Sequence, residues 1–123
     1  MGSGTMQKDE RRRQARVTLV GSVLLTPGGS PERAQTAVLD NANRVGAGLH
    51  SKEPVQVSEK VTVSIAFLDQ EGDEQQEKLS GRVAWTRPWE KGYLIGVVWD
   101  EMVSQDKHRW LYSYLTDTLK GIA

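Results

Sequence analysis

Val61, Val63, Ile65 and Phe67 alternate with Thr62, Ser64 and Ala66, the period of two expected where one face of a strand packs on a core and the other does not. Four further segments read the same way with less regularity. Residues 17–25 are rich in aliphatic and β-branched side chains and stop at Thr26-Pro27-Gly28-Gly29-Ser30-Pro31, where proline and glycine mark a turn. Residues 36–39 form a second short strand, and Asp40-Asn41-Ala42-Asn43-Arg44-Val45-Gly46 follows as a structured loop into an extended segment over 47–51. Residues 78–86 and 92–99 complete the set. A polar hairpin loop over 69–77 and a joint over 87–91 make the last three strands an antiparallel meander. From Ser104 the period changes: Trp110, Leu111, Tyr114, Leu115 and Leu119 fall on one helical face, with Ser104 as N-cap and Gly121 as stop. Five or six short strands favour a small barrel or sandwich. Trp85, Trp99, Trp110 and Tyr114 are assigned to core or barrel-to-helix packing, His108 to a solvent-facing helix position, and Trp89 alone among the tryptophans to a loop.

The chain has 123 residues, enough for one compact domain. Residues 1–6 read as a cloning scar and start. The single domain then runs over 7–123, as a basic arm (7–16), a barrel (17–99) and a C-terminal helix (104–120). Lysine plus arginine and aspartate plus glutamate number 16 each, so the formal net charge is zero and no general field draws a polyanion such as duplex DNA. Any anion binding is therefore local. The absence of cysteine excludes disulfides and thiolate metal sites and suits a reducing cytoplasm. No apolar run approaches the roughly 20 residues that span a bilayer, and no membrane insertion is expected.

An enzyme is the least supported class. His50 and His108 are the only histidines and sit in different elements, which leaves little support for a zinc site or a histidine-based triad. The acids Asp69, Glu71, Asp73, Glu74 and Glu77 lack the spacing of a calcium loop and read as a solvated turn. No phosphate-binding glycine loop is present, and Gly46 and Gly48 precede an extended segment rather than a helix.

Arg11, Arg12, Arg13 and Arg16 differ in kind: four guanidiniums within six positions repel one another, and a compact ligand carrying phosphates relieves that repulsion while accepting bidentate hydrogen bonds. Guanine suits arginine further, because O6 and N7 match the guanidinium fork and the flat ring accepts stacking. A basic cluster alone is more often a solvated tail. The second element decides: Arg12 and Arg16 stand four apart before the first strand, and Asn41-Ala42-Asn43-Arg44-Val45-Gly46 follows the second. This order resembles the PilZ domain, a bacterial cyclic di-GMP receptor whose signature is RxxxR followed by [D/N]xSxxG. Asn41 takes the Asp/Asn place and Gly46 the glycine, while Asn43 stands where the family prefers serine. Gly81-Arg82-Val83-Ala84-Trp85 and Tyr93-Leu94-Ile95-Gly96-Val97-Val98-Trp99 are similar to the family's late strands.

The resemblance implies a six-stranded antiparallel β-barrel with a C-terminal helix, mainly β, and a non-catalytic second-messenger receptor without a cofactor. Its ligand-binding residues would be Arg11, Arg12, Arg16, Asn41, Asn43 and Gly46. The arm would clamp cyclic di-GMP against the asparagine loop, Asn41 would bond a guanine, and binding would pass to a downstream protein partner by conformational change. Arg11, directly before RxxxR, implies a stacked, intercalated pair of ligand molecules. Two rival readings are an adaptor of the same fold acting through protein contacts alone, and a small-barrel binder of single-stranded nucleic acid that stacks bases on Arg87 and Trp89.

Overall fold

A computed structural model of the protein describes residues 18–122, with side chains described as far as Thr116. Six strands, β1 (Thr18–Pro27), β2 (Gln35–Ala42), β3 (Gly46–Ser51), β4 (Lys60–Leu68), β5 (Glu74–Trp89) and β6 (Gly92–Trp99), precede one helix, α1 (Arg109–Ile122). The strands close into an antiparallel barrel in the order β1-β2-β3-β6-β5-β4, with β4 returning to β1. Closure gives every strand a paired neighbour on both sides. The expected six-stranded barrel with a C-terminal helix is the architecture found.

Alternation places the core where the sequence implies it. Val61, Val63, Ile65 and Phe67 of β4 point inward and are buried, joined by Leu25, Leu49, Val83, Ile95 and Val97. The helix covers one end of the barrel: Leu111 is fully buried and Tyr114 packs its ring 6.1 Å from that of Phe67. Burial of such side chains is the main stabilising term, about 1.5–3 kcal/mol for each large apolar one.

Several sequence expectations are corrected. The loop placed at 69–77 shrinks to 69–73, because β5 begins at Glu74 and pairs with β4 as far as Leu68. Asp69 organises that turn, accepting the N–H groups of Glu71 and Asp73 at 2.9 Å each and the Gln75 Nε2. The helix starts at Arg109 rather than after Ser104, which instead closes a separate turn by accepting the Lys107 N–H on its Oγ. His108 is buried, and its Nδ1 accepts the Ser104 N–H. The free N–H groups of the first helical turn go to a distant partner: the Glu77 carboxylate accepts from Trp110 at 2.6 Å and from Leu111 at 2.9 Å. An acid on β5 therefore caps the helix, where the dipole also favours negative charge. Two tryptophans are corrected as well: Trp85 is exposed, and Trp89, expected in a loop over 87–91, is the last residue of β5, which pairs with β6 as far as Gly92.

At the far end of the barrel a short 3-10 turn, Pro31–Arg33, sends the Arg33 guanidinium to Glu59 at 2.5 Å. That hydrogen bond holds the Glu59 carboxyl below its ordinary range, with help from the Gln56 N–H.

Candidate functional site

Two β-bulges build the site. Between β2 and β3 the register steps from Leu39↔Leu49 to Asn41↔Gly48, so Asp40 is an extra residue; between β5 and β6 it steps from Val83↔Val97 to Trp85↔Gly96, so Ala84 is extra. Strict alternation from buried Leu39 and Val83 would send Asn41 and Trp85 into the core. Each added residue reverses the phase and turns them outward. Gly48 pairs with Gly96, which completes one outward row across four strands: Asn41, Gly48, Gly96, Trp85.

The two central glycines make the row a floor. A Cβ on Gly96 would collide with the Trp85 indole, and one on Gly48 would stand 3.0 Å from the Asn41 amide nitrogen. Both flanking side chains thus fold inward over bare backbone, and the indole remains 45% exposed. Glycine inside a strand commonly marks such a close approach. The resulting hollow has a volume of about 240 Å3 and is bordered by Asn41, Asn43, Gly46, Trp85 and Val98.

Asn43 shapes the adjoining turn. Its Oδ1 accepts the N–H groups of Val45 at 2.8 Å and Gly46 at 3.1 Å, the local bonding that a serine hydroxyl would provide at this place. Gly46 is required by proximity, since a Cβ there would run into the Val97 carbonyl of β6. The turn is also tied to the helix side of the molecule. Arg44 exchanges hydrogen bonds with Val103, its Nε donating to the Val103 carbonyl at 3.2 Å, and its guanidinium lies 5.6 Å from the Tyr112 ring of α1. Trp99 donates its backbone N–H to Val45 and its indole N–H to the Asn43 carbonyl.

The structure therefore brings Asn41, Asn43 and Gly46 to one hollow. Arg11, Arg12 and Arg16 lie outside the described residues. Trp85 joins the site although its type reads as core or barrel-to-helix packing; the glycines at 48 and 96, each inside a strand, are the available signal. Among the described residues, the carboxylate oxygens of Asp69, Glu71 and Asp73 are the one group close enough to hold a metal ion. Asp69 already accepts three hydrogen bonds there. No helix among the described residues is long and apolar enough to cross a membrane.

The family model described as PilZ domain matches residues 10–117. No curated protein matches the chain.

Proposed function

The chain belongs to the PilZ domain family of regulatory cyclic di-GMP receptors, and on that premise we propose that it binds cyclic di-GMP at the Asn41–Trp85 hollow and transmits binding without catalysis. The observation that carries this reading is the convergence of Asn41, Asn43, Gly46 and Trp85 on a single surface hollow. A carboxamide offers a donor and an acceptor to a guanine edge. The exposed part of the indole offers stacking. Arg12 and Arg16 supply phosphate and guanine contacts in this reading, and covalent reach supports it: Arg16 precedes Thr18 by two residues, roughly 7 Å of chain at most. Leu19, one residue further on, borders a second small cavity together with Asn41. Arg11 extends the basic run and favours a stacked pair of ligand molecules over one.

The proposed output runs through the turn. Arg44 joins the asparagine loop to Val103 and Tyr112, so a ligand that reorders the loop would shift the packing at the start of α1 and the surface shown to a downstream protein. Calorimetric titration with cyclic di-GMP is the test, on the parent and on Arg12→Ala, Arg16→Ala and Asn41→Ala. Loss of binding in all three variants is expected, with two ligands per chain in the parent. Undiminished binding in both arginine variants would remove the clamp from this account, and one ligand per chain would remove the pair.

A further inference from the structure

Trp85 is the first member of a ladder. Beyond the Ala84 bulge, β5 alternates outward as Trp85, Arg87, Trp89, and the Arg87 guanidinium lies 5.6 Å from the Trp85 ring and 5.8 Å from the Trp89 ring. A single cation is thus shared between two indoles whose backbone attachment points are about 13 Å apart along the strand, at roughly 3.3 Å per residue. Trp89 is also 45% exposed, and its ring leans on His50 with centroids 6.2 Å apart. Beneath the ladder lies Leu94, which faces outward in the row Val38, His50, Leu94, Arg87, yet is only 9% exposed. The outer surface here has an apolar base of its own.

Trp89 borders a cavity of about 720 Å3, together with His50, Lys52, Lys91 and Val38. Lys52 and Lys91 have no ion-pair partner among the described residues. By contrast, the hollow at Trp85 holds about 240 Å3, below the roughly 300–1,000 Å3 of sites that enclose a drug-sized ligand. Its volume is small for a whole dinucleotide.

We propose that the Trp89 cavity is a second base-stacking station, where a guanine of the bound ligand lies on the indole of Trp89 while another lies on Trp85, with Arg87 between them and Lys52 or Lys91 facing the phosphates. The inference rests on the proposed cyclic di-GMP binding and adds a site to it. The occupant is either the far base of one molecule or an outer base of a stacked pair. Both present the same purine face, and stoichiometry separates them.

The test is calorimetry with cyclic di-GMP on the parent, Trp89→Ala, Trp89→Phe and Trp85→Ala, with the indole N–H resonances followed by NMR. Loss of one stacked base weakens binding roughly 5- to 150-fold. Trp89→Ala is expected to show such a loss, Trp89→Phe to recover most of it, and the Trp89 indole resonance to move on saturation. A fall from two ligands to one in Trp89→Ala would assign the station to a second molecule; weaker binding at constant stoichiometry would assign it to the far base. A parent that binds, combined with unaltered affinity in Trp89→Ala, overturns this inference and leaves the proposed function standing. A parent that does not bind overturns both. In that case salt-sensitive binding of a single-stranded oligonucleotide, weakened in Trp89→Ala, would identify the ladder as a nucleic-acid platform instead. Trp89 is exposed, so equal melting temperatures should show that its variants fold.

Discussion

The Trp85 indole occupies the space that a side chain at Gly96 would need. This pairing fixes the floor of the hollow, because the ring can lie against the β6 backbone only while position 96 carries no Cβ. Gly96 has no left-handed backbone requirement, so alanine can be accepted there by the strand itself. Gly96→Ala is expected to lift the indole into solvent, with a red-shifted tryptophan emission, and to weaken cyclic di-GMP binding while the barrel remains folded. Unchanged emission and affinity would show that the indole does not depend on the glycine.

Asn43 should be replaceable by the family's serine and not by alanine. Asn43→Ala removes the acceptor for two backbone N–H groups and should cost about 1 kcal/mol, within the 0.5–2 kcal/mol typical of such local caps. Asn43→Ser should retain most of that stability. Urea denaturation of the two variants beside the parent measures the difference, and equal losses would contradict the assigned role.

Glu77 connects barrel to helix through one carboxylate. Glu77→Ala leaves the Trp110 and Leu111 N–H groups without their acceptor and should destabilise the protein by about 1–2 kcal/mol. Far-ultraviolet circular dichroism is expected to show fraying of α1 before the barrel melts. Glu77→Gln keeps an acceptor but loses the charge, and should fall between parent and alanine.

Acid sensitivity follows from depressed carboxyls, Glu59 and Asp69 among them. Arg33 lowers the pKa of Glu59, and the Gln75 amide with the Asp73, Glu71 and Gly72 N–H groups lowers that of Asp69. A depressed folded pKa gives stability that is present above the unfolded value, near 4.3 for glutamate and 3.9 for aspartate, and lost as pH falls through the folded value. Melting temperature should therefore decline below about pH 4. Glu59→Gln should lower it at neutral pH and flatten that decline, whereas a decline of the same size in the variant would assign it to other groups.

Much of the barrel is legible in the chain because most strands carry their own alternation; Val61 to Phe67 leaves little choice of face. What is not legible depends on a partner far away in sequence. Glu74 to Glu77 have the composition of a loop and become strand because Leu68 to Ile65 pair with them. Ser104 has the chemistry of an N-cap, yet the helix begins later, where Glu77 can reach its first turn. The asparagine loop is recognised from its residue types, and Asn43 does locally what its type suggests. Trp85 is misplaced because alternation carried forward from Val83 assigns it to the core, and nothing in Val83-Ala84-Trp85 announces that one residue is unpaired.

That unpaired residue gives the surface an unusual grammar, one of number rather than kind. Replacing Ala84 by another small side chain leaves the order of inward and outward positions downstream of it intact. Deleting it would leave Trp85, Arg87 and Trp89 outward, since Trp85 would then follow Val83 in ordinary alternation, whereas one residue added opposite it, between Gly96 and Val97 of β6, would give Ala84 a partner and turn all three toward the barrel interior. A chain with every one of those residues retained could thus lose the whole platform to a three-nucleotide insertion in the neighbouring strand. Comparison of such chains by residue identity alone would not reveal the loss.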